Sequence, residues 1–341
     1  MIDLRSDTVT KPTPTMIDKM SRAEVGDDVL EGDPTVRQLE ARIAEETGKE
    51  AALFVPSGTM GNQIAVAVHT SPGDAFLVDE EAHIVYYEGG MPAILSGAMP
   101  RSVPSKKGVM DFLDLEKRFT KKNLHTPGVS LLCLENTHNR AGGAVIDIET
   151  MTEYQTFARE REIPIHLDGA RVWNAAIALG VDTKKITEKV DTVSVCLSKG
   201  LGAPVGSVLC GSSDFIKEAN FWRKRLGGGM RQSGILAAAG LVAVDQMVHR
   251  LHDDHANARH FATLLQDVPR VKVLESWTNF TMIQVDGLAF DWLTEMKKRG
   301  LWALSPGPSR IRFVWHHQVG RYQAAMAAEI MREVSRSLET D

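Results

Sequence analysis

Apolar residues along the chain gather into short dense runs, separated by longer stretches in which apolar and polar positions mix. The runs at 51–55, 75–78, 129–134, 163–167, 192–197 and 206–210 are nearly continuous, the pattern of strands buried on both faces. Between them, 59–68 and 150–161 carry helical spacing. Strand alternating with helix predicts an α/β layered fold with a large, mostly parallel sheet.

From about residue 230 the texture changes. Residues 233–266 read as one long alanine-rich helix, apolar on several faces, which needs neighbours on more than one side. Strands follow at 280–285 and 311–315, with helices at 290–299 and 319–338, giving a smaller α+β unit. The expected organisation is a large unit over 1–245, opening with an arm over about 1–14, and a small C-terminal unit over 246–341. No repeat, low-complexity tract or flexible linker interrupts it.

Composition narrows the function. The 341 residues hold 39 Lys and Arg against 44 Asp and Glu, a net charge of −5, without the basic excess of a nucleic-acid binder. The most apolar stretch, 234–244, falls well short of the roughly 20 residues that cross a bilayer. The first residues lack the basic-then-apolar order of a secretory signal, so a cytoplasmic location is expected. Cys133, Cys196 and Cys210 lie in strand-like runs and no Cys or His spacing suits a metal, so reduced core thiols and no metal site are expected. His249, His252 and His255 read as a solvated helix face, and His316 and His317 as surface residues.

Two strand ends carry candidate chemistry. Asp168 closes the run at 163–167, at the carboxyl end where open α/β sheets place their sites. Lys199 ends the run at 192–197 and enters a turn containing Gly200, Gly202, Pro204 and Gly206. A lysine emerging from a buried strand loses hydration, which favours the neutral, nucleophilic amine. The two residues are 31 positions apart, about one strand–helix–strand unit, which brings carboxylate and amine to one sheet edge. Pyridoxal phosphate chemistry needs this pair: an amine for the Schiff base and a carboxylate that keeps the pyridine nitrogen protonated. A phosphate seat is offered where Ser57, Gly58 and Thr59 open a helix. Ser198 could add a hydroxyl, and 227–232 forms a second glycine turn ending in Arg231 and Gln232. The nucleotide P-loop ending is absent, and 200–206 lacks the spacing of a nicotinamide-binding turn.

The strings DLRSDTVTKP at 3–12, FVPSGTMGNQ at 54–63, ENTHN at 135–139, DGAR at 168–171, LSKGL at 197–201 and GGGMRQ at 227–232 together resemble the low-specificity L-threonine aldolases, in order and over nearly the whole chain. The resemblance implies the aspartate-aminotransferase type fold (fold type I of the pyridoxal 5'-phosphate enzymes). It also implies a homotetramer with active sites shared between subunits, acting on a small amino-acid substrate. It makes Lys199 the Schiff-base lysine and Asp168 the partner of the ring nitrogen. His83 would stack on the ring near the substrate hydroxyl. Gly58 and Thr59 would hold the phosphate, with Arg231 reaching it from a neighbouring subunit. Arg171, Arg312 and Ser6 would take the substrate carboxylate, whose geometry a guanidinium fork matches; Arg310 reads as a solvated strand-edge residue. His125 stands where the family often has a second active-site histidine.

The implied reaction is retro-aldol cleavage of L-threonine or L-allo-threonine to glycine and acetaldehyde, and the reverse addition. The base is His83, His125 or a water held by both. A serine hydroxymethyltransferase-like or β-eliminating activity of the same fold is the alternative. One departure stands out: after Gly26-Asp27-Asp28-Val29 the family usually has Tyr-Gly-Glu, whereas this chain has Leu30-Glu31-Gly32.

Overall fold

The computed structural model describes residues 1–338. A seven-stranded sheet runs in the order Ala51–Val55, Ser207–Gly211, Thr192–Cys196, Ile165–Gly169, Val129–Glu135, Ala75–Asp79, Met99–Val103. Ser207–Gly211 is antiparallel to both its neighbours; the other pairings are parallel. All six predicted runs are strands. The edge strand Met99–Val103 escaped the apolar pattern because most of it is exposed and it contains Pro100, which only an edge tolerates readily.

Local chemistry sets the element ends. Ser57 caps the helix Gly58–His69 by accepting the Met60 N–H at 3.1 Å. Helix Pro34–Thr47 starts on Asp33 with proline in its first turn and stops at Gly48, whose φ of 63° is left-handed, as glycine readily allows. Gly61 lets its helix approach the sheet: a Cβ there would lie 2.5 Å from Ser194 Oγ.

The parallel strands all end on one edge. There Glu135 is level with Asp168, and Asp168 with Ser194, while Asp79 closes the next strand and Lys199 follows Cys196 by three residues.

Two hydrophobic clusters dominate. The larger extends from Met16 to Leu251 around the sheet. The other runs from Ala258 to Val334, packing Phe261, Trp292, Phe313 and Trp315, and it includes Ile2 and Leu4. Ile2–Asp3 pairs in parallel with Leu301–Trp302, and the Val314 N–H donates to Leu4 O at 2.9 Å. The chain therefore begins in the C-terminal cluster and crosses to the large sheet, where Thr10 Oγ1 donates to Lys199 O at 3.0 Å. The small sheet orders Val271–Glu275, Phe280–Val285, Arg310–Val314 and Leu304–Gly307, all antiparallel.

The helix expected over 233–266 is two helical segments, Gly234–Met247 and Leu251–Leu264, bent by 64°. The first buries Ala237, Ala239 and Val242 in the large cluster, and the second buries Ala258 and Phe261 in the small one. One straight axis does not serve both cores. His255 is accordingly buried, with Nε2 3.1 Å from Asn174, although His252 is exposed. His316 is also buried rather than superficial, against Asp3 O at 2.8 Å. The three cysteines are buried free thiols, and among the described residues no single helix is long and apolar enough to cross a membrane.

The fully buried Asp33 joins three segments. Oδ1 accepts the N–H groups of Thr35 and Val36, and Oδ2 those of Gly26 and Gly234. Asp33→Ala removes a helix cap and strands further N–H groups, so we expect a loss of about 2–4 kcal/mol in urea unfolding. An unchanged midpoint would show that the loop 26–33 is held by other contacts.

Candidate active site

A cavity of about 390 Å³ opens at the carboxyl edge of the large sheet. Ser6, His83, Asp168, Arg171, Lys199 and Arg312 all line it. Six predicted site residues, drawn from both ends of the chain and both units, thus meet in one place. The remaining predicted positions lie outside its lining. Ser198 is half-buried, with Oγ 3.4 Å from Cys196 Sγ. Gly58 and Thr59 form the first turn of their helix, one turn before Asn62. Arg231 is half exposed and bonded to Asp27. His125 is exposed in the loop at 123–126.

Asp168 is 4% exposed. Its Oδ1 accepts from Ala170 N at 3.1 Å and its Oδ2 from Asn62 Nδ2 at 2.9 Å. Burial pushes its pKa up, but the positive charges of His83 and Lys199, with these hydrogen bonds, outweigh that and hold it below the usual carboxylate value. Lys199 Nζ has no hydrogen-bond or ionic partner among the described residues, although it lines the cavity.

His83 starts a short helical turn after the Ala75–Asp79 strand. Its backbone N–H donates to Glu135 Oε2 at 2.7 Å, and its Nδ1 lies 2.9 Å from Glu88 Oε1. Burial disfavours the charged ring, yet the Glu88 hydrogen bond and the nearby Asp168 charge raise its pKa above the ordinary 6.5. The Glu88 carboxylate is an acceptor, so Nδ1 carries the proton shared with it and Nε2 is the ring atom left for chemistry.

The two arginines differ. Arg171 commits Nε and Nη2 to the fully buried Asp7, at 2.8 and 2.6 Å, so its two-pronged edge is engaged within the chain. Arg312, on the strand Arg310–Val314, gives Nη1 to Asn139 at 3.0 Å and Nη2 to Arg5 O at 3.4 Å, and keeps Nε buried with no partner among the described residues. Burial, with Arg171 close by, lowers its pKa to about 10. An anion entering the cavity would meet an under-neutralised guanidinium there. Arg310 shares a strand face with Arg312 but stands at the first position of the strand, where it is exposed.

Four important residues were not singled out in sequence. Asp7, Asn62 and Glu135 sat inside the quoted strings without a role, because their work depends on partners 52 to 164 residues away. Glu88 lies in no quoted string. Tyr87 and the edge residues Leu304, Ser305 and Pro306 complete one wall.

A seven-stranded, mainly parallel sheet with a lysine and a buried aspartate at its carboxyl edge, closed by a small α+β unit, is the architecture of the fold type I pyridoxal-phosphate enzymes. The solved structure of Leishmania major threonine aldolase superposes with a TM-score of 0.84, covering 98% of this chain and 100% of that one at 17% identity. Residues 3–287 match the family model for the beta-eliminating lyases, and the chain belongs to that family. It is 45% identical over 329 residues to a probable low-specificity L-threonine aldolase 2 of Arabidopsis thaliana, covering 93% of this chain and 92% of the plant protein. It is 42% identical to the low specificity L-threonine aldolase of Escherichia coli K12, covering 96% and 97%.

The Asp7–Arg171 pair has a measurable signature. Burial raises the Asp7 pKa, but Arg171 and then Lys199 and Asn279 bring it from 3.8 to about 2. A depressed carboxylate contributes stability that is present above its unfolded value and lost as pH falls through the folded one. That contribution is about 2 kcal/mol at neutral pH. Asp7→Asn leaves Arg171 buried without a counter-charge and should cost about 3–5 kcal/mol at pH 7. The gap between the two proteins in urea unfolding should narrow by about 2 kcal/mol between about pH 4 and pH 2; a constant gap would contradict the pairing.

Proposed function

We propose that this chain binds pyridoxal 5'-phosphate on Lys199 and cleaves L-threonine, L-allo-threonine and related L-β-hydroxy-α-amino acids to glycine and an aldehyde, and runs the reverse addition. The observation that carries this reading is that the Lys199 amine, without a partner among the described residues, lines one cavity with the ionised Asp168 and Arg312. The residues present fit the cofactor. Lys199 would attach it, Asp168 would face the ring nitrogen, and His83 would lie against the ring with Arg171 beside it. Gly58, Thr59 and Ser198 would hold the phosphate, where the buried Ser207 Oγ has no partner among the described residues and lies 3.5 Å from where a Cβ on Gly58 would be. When bound, pyridoxal phosphate supplies the electron sink for the pair released as the Cα–Cβ bond breaks.

The chain's own residues do the rest. Arg312 binds the substrate carboxylate through its guanidinium, whose Nε has no partner among the described residues, and Ser6 lines the same cavity. Arg171, held by Asp7, adds fixed positive charge without freedom to swing. Together they orient the substrate so that the Cα–Cβ bond is the one cleaved. His83 accepts the β-hydroxyl proton at Nε2, while Glu88 fixes the ring through Nδ1. Asp168 stays negative throughout, an electrostatic role.

We further propose a cytoplasmic homotetramer, serving threonine catabolism and glycine formation. Arg231 and His125 both lie outside the cavity of their own chain, which supports a site completed by neighbouring copies. The exposed apolar side chains of Leu124 and Ile94 suit such contacts.

Purified protein should be yellow, and borohydride should fix the cofactor on Lys199. A panel of the four threonine stereoisomers and β-phenylserine should release aldehyde from the L-isomers. Colourless protein that stays colourless with added cofactor would overturn the reading. Pyruvate release from serine would redirect it to β-elimination, and folate dependence to hydroxymethyl transfer. His83 must be neutral to accept a proton and its pKa is raised, so kcat/KM should climb with pH through a value above 6.5. His83→Asn should remove that limb and lower kcat/KM by about 10²–10⁴-fold. A variant that keeps the limb would move the base elsewhere. Arg312→Lys, which loses the fork, should raise KM with a smaller change in kcat.

A further inference from the structure

A line of hydrogen-bonded side chains leads from Asp168 into the interior between the helix Gly58–His69 and the sheet. Asn62 and His69 stand two turns apart on that helix. His166 and Asp168 share one face of their strand, and Thr192 is level with His166 on the next. The contacts are consecutive: His69 Nε2 to Thr192 Oγ1 at 3.1 Å, Thr192 Oγ1 to His166 Nδ1 at 3.0 Å, and His166 Nε2 to Asn62 Oδ1 at 3.1 Å. Asn62 Nδ2 then reaches Glu88 Oε1 and Asp168 Oδ2, each at 2.9 Å.

The direction of every hydrogen follows. The two carboxylate oxygens can only accept, so they fix the Asn62 amide with Nδ2 toward them and Oδ1 toward His166. Oδ1 can only accept, so His166 carries its hydrogen on Nε2. Burial, with His69 nearby, lowers the His166 pKa to about 3, so its Nδ1 is bare and accepts the Thr192 hydroxyl. The threonine oxygen then accepts from His69 Nε2–H, and burial lowers the His69 pKa to about 4. All four groups are neutral and all point their hydrogens the same way.

We propose that His69, Thr192, His166 and Asn62 are positioning residues forming a one-way donor relay, which fixes Asp168 toward the cofactor ring nitrogen and Glu88 toward His83. The neutrality matters. A cationic His166 would attract the Asp168 charge from the protein side and weaken its hold on a ring nitrogen across the cavity, whereas neutral donors fix the carboxylate without cancelling it. Asn62, with one amide on both carboxylates, ties the placement of Asp168 to that of the His83 ring.

The functional sense of the relay rests on the proposed role of Asp168, but its existence does not, and the test separates the two. Nitrogen-15 NMR of histidine-labelled protein as purified, with the His166 and His69 signals assigned by His166→Gln and His69→Gln, reads each ring directly. Both rings should remain in the neutral Nε2–H form from pH 6 to pH 9. Thr192→Ser should preserve the wild-type shifts, and Thr192→Val should move the His166 Nδ1 resonance. In equilibrium dialysis, Thr192→Val should weaken pyridoxal phosphate binding roughly tenfold, the equivalent of one lost hydrogen bond, and Thr192→Ser should stay within about twofold. A protonated or Nδ1–H His166, or a valine variant matching the serine variant in both readouts, would overturn the relay. If no cofactor binds at all, the functional reading fails and the ring-nitrogen spectra still decide the relay.

Discussion

The ion pair between Asp7 and Arg171 is the interaction on which the rest of the site depends. Asp7 belongs to a segment whose first residues are built into the small unit's core, and it also accepts from Asn279 Nδ2 at 3.2 Å. Arg171 follows the carboxyl end of a central strand of the large sheet. One fully buried carboxylate therefore joins the N-terminal crossing, the small unit and the large sheet, between the cavity-lining Ser6 and Thr8. Burial makes a single charge here intolerable, so the three parts assemble together or expose an uncompensated ion.

The charged groups of the site divide by their partners. Arg312 and Lys199 retain nitrogens without a partner among the described residues, whereas Arg171 is committed to Asp7. Asp168, Glu88 and Glu135 are each bonded to N–H donors. Beyond Asn62, the fully buried His166 and the half-buried His69 are kept neutral by desolvation. Cations that can greet an anion, fixed carboxylates and an uncharged backing form a field that is set before any ligand arrives, which is the condition under which electrostatics contributes most to catalysis.

The large sheet was legible because its central strands are buried on both faces and so read as continuous apolar runs. The same rule failed at Met99–Val103, where an exposed edge carries no such run, and at 233–266, where unbroken helical periodicity concealed a 64° bend. His255 and His316 were read as solvated because a histidine's neighbours along the chain do not reveal Asn174 or the Asp3 carbonyl. Of the site, Asp168 and Lys199 were legible from strand ends and spacing. The pairing of Arg171 with Asp7 was not, since both are simply charged residues until the fold brings them together.

The sequence by itself determined the alternating strand–helix architecture, the strand-end positions of the lysine and aspartate, and the family, because these depend on local periodicity and on short strings of residues. Only the tertiary structure decided which arginine keeps a nitrogen without a partner among the described residues, which nitrogen of His83 is available, and how Asn62 links Glu88 and Asp168. Those outcomes depend on distances and burial between residues up to 272 positions apart, such as Asp7 and Asn279. Hydrogen-bond direction and desolvation act through space, and no pattern along the chain encodes them.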